Sequence, residues 1–583
     1  METLTTPPRH DLPTRLADFP TLSDALDYAA QGTAGFSFHD ARGRLQTSLS
    51  YAEVRQRARA LARRLLTLGL SRGDRVAAIA ETDPEFAIIF FACQYAGLVP
   101  VALPISLNMG GRRAYVQQLQ GLLREARPAL AAAPEELLPF LREATEDMPW
   151  VPTYANEALE ALPDGDVELV PSRPDEIAYL QFTSGSTSFP RGVVIRQDAA
   201  MSNLQGVVRT GLEIRAGDRA ASWLPFYHDM GLVGFMLGPV VSQVSVDYLR
   251  TRDFAIRPLS WLRLISRNRA TIAFGPPVAY HLCRQRLRPS VLEELDLSSW
   301  RIAGVGAEMI RPGTLDDFAD ALESTGFDRR AFLPCYGLAE STLAVAFSPV
   351  GGGMRRESVD TDVLAETGAA QLAVADTESV TEIVNCGRVL PDHEIQIRDE
   401  NGQETAQRVT GRVLLRGPSV MEGYFNNPAA TSTVLDDEGW LDTGDLGYLT
   451  DDGLFITGRV KDLIIINGRN IWPQDLEHLA EQETAVRVGD ASAFAVTRSD
   501  GTDTAVLVVQ CRLTDAGERE GIVTRIKTAV YEHFGLDCMV DLVSRGTLPK
   551  TSSGKLSRAE ARRDFLHRTQ WGKLEAAIAT ANA

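Results

Sequence analysis

The chain has 583 residues, 44% hydrophobic and 23% charged, and its Lys+Arg 59 against Asp+Glu 77 give a formal net charge of -18. That length calls for more than one hydrophobic core, and the composition excludes disordered, collagenous and disulfide-stapled classes. The acidic balance excludes a nucleic-acid footprint spread over the whole surface, so an acidic partner would need a local basic patch.

Met1 to Pro20 carries prolines and charges where a signal peptide would place an apolar run. Tyr51 to Leu70 (YAEVRQRARALARRLLTLGL) spaces its apolar residues as a helix, and Arg75 to Ala80 follows Gly73-Asp74 as a short strand. Phe86 to Ile105 (FAIIFFACQYAGLVPVALPI) is long and apolar enough to raise a membrane span. Gln94, Gly97, Pro100 and Pro104 divide it, and no basic cluster flanks it, so a buried helix followed by a strand is expected. Strand runs at Arg191 to Arg196, Arg301 to Val305 and Val409 to Leu415, alternating with helical stretches, indicate an α/β architecture. The six cysteines (Cys93, Cys283, Cys335, Cys386, Cys511, Cys538) are scattered, which suggests neither zinc nor disulfides and fits a reducing, cytoplasmic setting.

Residues 351 to 380 open with three glycines and hold few large apolar residues, so they read as an insertion or surface excursion. A boundary is expected at Gly458 to Asp462, giving a large N-terminal domain over 1–459 and a small α+β domain over 460–583. From Lys461 onward the chain has 16 basic and 17 acidic residues, so nearly all the negative charge belongs to the large domain.

Gln181 to Val194 (QFTSGSTSFPRGVV) packs Thr183, Ser184, Gly185, Ser186 and Thr187 together and closes on Arg191. Small hydroxyl residues and glycine let backbone N–H groups reach phosphate oxygens, and an arginine adds charged donors, although such a segment can also be a plain loop. It is not a Walker loop, because Val193 stands where that motif needs lysine. Four later segments add weight. Tyr336-Gly337-Leu338-Ala339-Glu340-Ser341 offers an aromatic face and a carboxylate suited to a purine and a magnesium ion. Trp440 to Asp445 (WLDTGD) ends in a carboxylate that could accept two ribose hydroxyls, Gly458 to Asp462 (GRVKD) lies on the expected boundary, and Leu548 to Leu556 (LPKTSSGKL) holds Lys555 on a Gly/Ser turn.

In this order and at these separations the segments resemble the adenylate-forming superfamily of acyl-CoA synthetases, amino-acid-adenylating domains and luciferases, over about residues 40 to 575. The resemblance implies ATP and Mg2+ as cofactors, two half-reactions through an acyl-AMP, and a small domain that turns about Lys461-Asp462. It implies that Lys555 bridges the substrate carboxylate and the α-phosphate, and that Glu340 and Thr187 hold magnesium. Asp445 and Arg459 would hold the ribose, Tyr336 would cover the adenine, and Gly306-Ala307-Glu308 would be the adenine-site segment. A carboxylate attacking a phosphate sets anion upon anion, and a cation about 4 Å away is worth roughly 4 kcal/mol at an effective dielectric near 20.

Ser222 to Gly234 (SWLPFYHDMGLVG) resembles the fatty acyl-AMP ligase branch, where this segment lines the acyl site through Phe226, His228, Asp229, Met230 and Gly231. His228 invites a catalytic reading as general base, but a fatty acid is already ionised near neutral pH, so a wall or gate role is preferred. Gly231 to Val241 is apolar and Gly-punctuated, which suits either an alkyl tunnel or a core helix. Gly468-Arg469-Asn470-Ile471-Trp472-Pro473-Gln474-Asp475-Leu476-Glu477 is similar to the same branch, with Ile471-Trp472 replacing its common His-aromatic pair and Arg191 replacing the superfamily's usual lysine. The branch implies a fatty acid substrate and an acyl carrier protein acceptor, with residues 351 to 380 at its insertion, which is thought to restrain the small domain. A coenzyme A ligase and a non-catalytic nucleotide-binding module are the competing readings. Arg545, Lys550, Lys555, Arg558, Arg562, Arg563, Arg568 and Lys573 outnumber the nearby acids, which makes the last stretch the expected docking region for an acidic carrier.

Overall fold

The computed structural model describes residues 12–105, 111–183, 191–377, 379–466, 469–498, 502–550 and 556–571. Ser184, Gly185, Ser186, Thr187 and Lys555, all expected site residues, lie outside the described residues.

The large domain is built on two twisted sheets and a smaller one. A nine-stranded sheet has a parallel centre of Phe332–Gly337, Ile302–Val305, Ile272–Gly275, Arg219–Ser222, Ser245–Leu249 and Gly35–His39, with antiparallel strands at both edges. A seven-stranded sheet runs from Gly423–Tyr424 through Gly192–Arg196, Ile177–Phe182, Val99–Leu103, Arg75–Ile79 and Leu130–Ala133 to Thr153–Ala155. A four-stranded antiparallel sheet holds Glu394–Arg398, Gly411–Arg416, Leu441–Thr450 and Gly453–Arg459.

The long apolar segment resolves into the helix Pro84–Ala96 and the strand Val99–Leu103, as its Gly and Pro breaks imply. Asp83 caps the helix by accepting from the Phe86 N–H, and Gly97 ends it in the left-handed conformation. The helix is apolar all round because it lies between the layers: Phe86 stacks on Phe226 beside the nine-stranded sheet, and Phe90 meets Tyr179 of the seven-stranded one, centroids 5.9 Å apart in each case. Each such ring adds about 1.5–3 kcal/mol of burial. Among the described residues no helix is long and apolar enough to cross a membrane.

The small domain has its own cores. Ala491–Thr497, Asp503–Gln510 and Cys538–Val543 form a three-stranded sheet. Ile522, Ile526 and Val530 of the helix Ala516–Phe534 pack on one side, and Phe565 of the helix Arg558–Thr569 on the other. Within 351–380, Arg356–Asp360 pairs with Val380–Val384, a strand at and beyond the segment's end, and the helix Thr361–Thr367 joins a cluster of Val359, Leu364, Ala370, Tyr448, Phe455 and Trp472.

Candidate active site

The C-terminal ends of parallel strands are where open α/β sheets present ligand sites, since connecting loops splay apart there. Ala307 follows Ile302–Val305 and Tyr336 lies in Phe332–Gly337, so both stand at that edge, on the wall of a cavity of about 1710 Å³. Ala307 holds φ 68, a left-handed conformation that disfavours a side chain and that collects at functional loops. Gly306 and Glu308 flank it without lining the cavity. Gly337 must be glycine, because a Cβ there would lie 1.9 Å from the Leu343 carbonyl oxygen.

At one end the cavity gathers polar groups from four parts of the chain. Thr183 and Arg191 close the segment after Ile177–Phe182, and the Thr183 N–H donates to the Arg191 carbonyl at 3.1 Å. The Arg191 guanidinium lies over the Tyr424 ring, 4.9 Å from its centroid. The Tyr424 hydroxyl donates to Glu340 Oε1 at 2.9 Å, and burial pushes the Glu340 carboxyl above its ordinary range against that hydrogen bond. Asp445 is buried just behind the wall formed by Asp442, Thr443 and Gly444, where it accepts from the Tyr336 hydroxyl at 2.6 Å and from Arg459 Nε at 2.9 Å. Arg459, Val460 and Lys461 complete the rim, while Asp462 faces away and accepts from Arg558 at 2.7 Å. Gly337 and Leu338 also line the wall.

The other end is apolar. His228, Asp229 and Met230 stand at its opening, with His228 Nδ1 2.5 Å from Asp229 Oδ1 and the Met230 N–H donating to Asp229 Oδ1 at 2.7 Å. Beyond them the π-helical segment Met230–Leu237 continues into the helix Gly238–Ser242. Met230, Gly234, Gly238 and Ser242 face the cavity in one stripe, and three of the four have almost no side chain, so the missing bulk becomes a tunnel. Val207 and Val208 of a second π-helical segment, Gly206–Gly211, line it too, and so do Ala220, Val244 and Ile272 at the far ends of the strands. Phe226 and Gly231, expected in this pocket, stand off it. Phe226 is fully buried against Phe86 and Tyr248, and Gly231 lies where a Cβ would be 2.0 Å from the Pro225 carbonyl oxygen.

Several lining residues gave no sequence signal. Tyr424 arrives through a two-residue strand paired with Gly192–Arg196, and Gln181 is a strand residue whose Nε2 donates to the Tyr227 carbonyl at 2.7 Å. Gln181 Oε1 is buried without a partner among the described residues, as a ligand-facing acceptor would be.

A carboxylate and cations facing one chamber, with an alkyl-sized channel beyond, fit a nucleotide and an acid together. No three His, Cys, Asp or Glu side chains converge as a metal cage among the described residues. Mg2+ needs none, because it takes one or two carboxylates and fills its sphere with water and phosphate oxygens, so Glu340 fits.

The AMP-binding enzyme family model matches residues 29–425. The chain belongs to that family. A solved structure described under fatty acyl-adenylate ligases from E. coli and L. pneumophila superposes with a TM-score of 0.92 at 49% identity, covering 97% of this chain and 100% of that one. A Caulobacter vibrioides protein provisionally named acyl-CoA synthetase is 44% identical over 96% of this chain and 98% of its own length. The medium-chain-fatty-acid–[acyl-carrier-protein] ligase JamA of Moorena producens is 32% identical over 95% and 97%. This AMP-binding enzyme is an ATP-dependent acid ligase of the adenylate-forming superfamily, and its fatty acyl-AMP ligase branch is the one matched.

Proposed function

We propose that this enzyme joins a fatty acid to AMP, releasing pyrophosphate, and then passes the acyl group to the phosphopantetheine thiol of an acyl carrier protein. The observation that carries this is the continuity of one cavity from Glu340, Arg191 and Arg459 to an apolar tunnel behind Met230, Gly234, Gly238 and Ser242. That stripe runs twelve residue steps along the helix from Met230 to Ser242, roughly 18 Å at 1.5 Å per step, room for an extended chain of about a dozen carbons. An amino acid would need a carboxylate for its ammonium: Asp229, at the opening, is engaged by His228 and the Met230 N–H, and Gly234, Phe235, Val244 and Ile272 beyond it supply none.

The polar end does the chemistry. Arg191 and Lys555 draw the phosphates and the substrate carboxylate together and stabilise the charge that builds as they react. Asp445, oriented by Arg459 and Tyr336, accepts the ribose hydroxyls, and Tyr336 covers the adenine beside Ala307. Glu340 and Thr187 hold Mg2+, which when bound neutralises phosphate charge. His228, tied to Asp229, walls the acyl carbonyl and needs to take no proton. The small domain turns about Arg459 to Asp462 to exchange Lys555 for the acceptor thiol. Six cysteines without disulfides suit a cytoplasmic enzyme.

ATP–pyrophosphate exchange with dodecanoate tests the first half, and product masses after adding holo acyl carrier protein or coenzyme A test the second. The provisional name of the C. vibrioides relative favours coenzyme A as the competing acceptor. Dodecanoyl-CoA formed as fast as the adenylate would overturn the carrier reading, and no exchange at all would leave only nucleotide binding.

A further inference from the structure

The basic run expected to dock a carrier is mostly neutralised by the fold. Arg558 donates to Glu477 and Asp462 at 2.7 Å each, Arg563 pairs with Glu560, Arg568 is held by Asp541 and Asp564, and Arg562 donates to the Ala495 carbonyl at 3.0 Å. Of the run's described residues only Arg545 and Lys550 are left outside such contacts, and Arg545 lies on the cavity wall.

The free charge sits at one end of the small domain's sheet. Gln510 and Val543 are paired partners in parallel strands, and Arg512 and Arg545 each follow two residues later, side by side where the sheet ends. Arg487 reaches the same end, because Asp490 leads into Ala491–Thr497 and its N–H donates to the Arg487 carbonyl at 3.0 Å. Arg286, the last residue of the helix Pro277–Arg286, faces them from the large domain, which meets this end of the small domain where Arg311 pairs with Glu481, whose other oxygen accepts from the Gly489 N–H. Burial first, then the charges of Arg545, Arg512 and Arg286, hold the Arg487 guanidinium below its ordinary range. All four are exposed, and none has a carboxylate within ion-pair distance among the described residues. Asp490, whose charge offsets part of this repulsion, is buried and accepts from Gln510 Nε2 at 2.7 Å. Four unpaired arginines gathered from two domains leave a concentrated positive field in a chain of net charge -18, at a cost in mutual repulsion.

We propose that Arg286, Arg487, Arg512 and Arg545 form the docking face for an acidic protein that brings the acceptor thiol to the cleft. This rests on the carrier reading above and gives it a place. A protein face fits better than the phosphates of coenzyme A: the cations are exposed and spread over both domains, with no buried donor among them to shape a phosphate pocket. Spanning both domains, the face is complete only when they hold one relative orientation, so partner binding would favour that orientation.

The test uses the full chain carrying Arg487→Glu and Arg512→Glu, both off the cavity wall, with Arg286→Glu as a separate variant from the large domain. Holo acyl carrier protein, free pantetheine and coenzyme A are the acceptors. Expected are unchanged dodecanoate-dependent pyrophosphate exchange, unchanged transfer to pantetheine, and a KM for the carrier protein raised roughly tenfold, a gap that closes at high salt. Arg286→Glu should move the same constant in the same direction. Loading of the carrier with an unaltered KM in both variants would overturn the docking face and leave the proposed reaction standing. An equal rise in the KM for coenzyme A would assign the patch to phosphate and overturn it. Wild-type enzyme that loads coenzyme A and no carrier would overturn the carrier reading, and the docking face with it.

Discussion

Replacing Gly234 by leucine asks whether the tunnel holds the alkyl chain. Gly234 is the one residue from Gly231 to Val240 that is not buried, because its face opens into the cavity. A Cβ there would meet only Leu343 Cδ2 at 3.4 Å, so the backbone accepts a side chain, and leaving glycine favours the helix by up to about 1 kcal/mol. The fold should therefore survive, with an isobutyl group projecting into the channel about one turn past Met230. A chain stopped there forfeits the remaining two-thirds of the stripe, roughly 12 Å or about eight methylenes. At about 0.8 kcal/mol each the ceiling is about 6 kcal/mol, and partial rerouting leaves about 3 kcal/mol, two orders of magnitude in kcat/KM. Pyrophosphate release with dodecanoate should fall by that factor, while butanoate, which ends before Gly234, should change less than about threefold. Gly234→Ala should give an intermediate loss that begins at a longer chain length. Equal losses for butanoate and dodecanoate would refute the reasoning by pointing to a damaged site, and no loss for either would place the alkyl chain elsewhere.

Asp445→Ala leaves Arg459 and the half-buried Tyr336 hydroxyl without their acceptor. A charged hydrogen bond of about 1.5–3 kcal/mol predicts a KM for ATP raised roughly ten- to a hundredfold in the exchange assay, with the KM for dodecanoate little moved. Lys555→Ala should lose most adenylation yet still consume supplied dodecanoyl-AMP, and equal loss of both half-reactions, read by product mass, would remove its assigned role. Burial raises the Asp83 carboxyl from 3.8 to about 8. Over that window the folded chain keeps a proton that the unfolded chain has released, so stability falls as pH rises. Asparagine caps a helix equally well and does not titrate, so the melting temperature of Asp83→Asn should exceed that of wild type by a gap that widens by a few degrees from about pH 5.5 to about pH 8.5. A gap independent of pH would contradict it.

What sequence reading reaches here depends on the range of the contact. The helix Pro84–Ala96 was legible because its Gly97 stop and the prolines after it are local, and its all-round apolarity implied burial. The polar end of the cavity was legible as segments, since Glu340, Asp445 and Arg459 each sit in a short run of distinctive residue types. Their mutual geometry was not: Tyr336 and Asp445 are 109 residues apart, and Tyr424 and Glu340 are 84 apart. The glycines of the acyl segment were visible, but their spacing does not say which faces outward. Gly231 serves close packing against Pro225, whereas Gly234 opens the tunnel. Charge shows the same limit, because Arg558 finds Glu477 and Asp462 81 and 96 residues away, so counting basic residues along the chain overstates what is free to meet a partner.

The contacts between the segment Arg356–Val384 and the small domain differ in kind and in magnitude. Arg469 donates to Asp362 at 2.6 Å, but with side chains 30% and 52% exposed the pair is worth about 1 kcal/mol at most. Trp472 is 5% exposed and packs in one cluster with Val359, Leu364 and Ala370, with Ile383 of the strand Val380–Val384, and with Tyr448 and Phe455, and uncovering an indole costs several kcal/mol. The same ring lies on Gly458, where a Cβ would come within 2.6 Å of Trp472 Cδ1, so the residue before Arg459 must stay small for this contact to form. Gln474 adds a hydrogen bond from Nε2 to the Thr457 carbonyl at 2.7 Å. The turn proposed about Arg459 to Asp462 would have to draw Trp472 out of this cluster. Trp472 resists such a turn more than the exposed Arg469–Asp362 pair beside it, and the pair of Arg311 with the buried Glu481 side chain adds to that resistance.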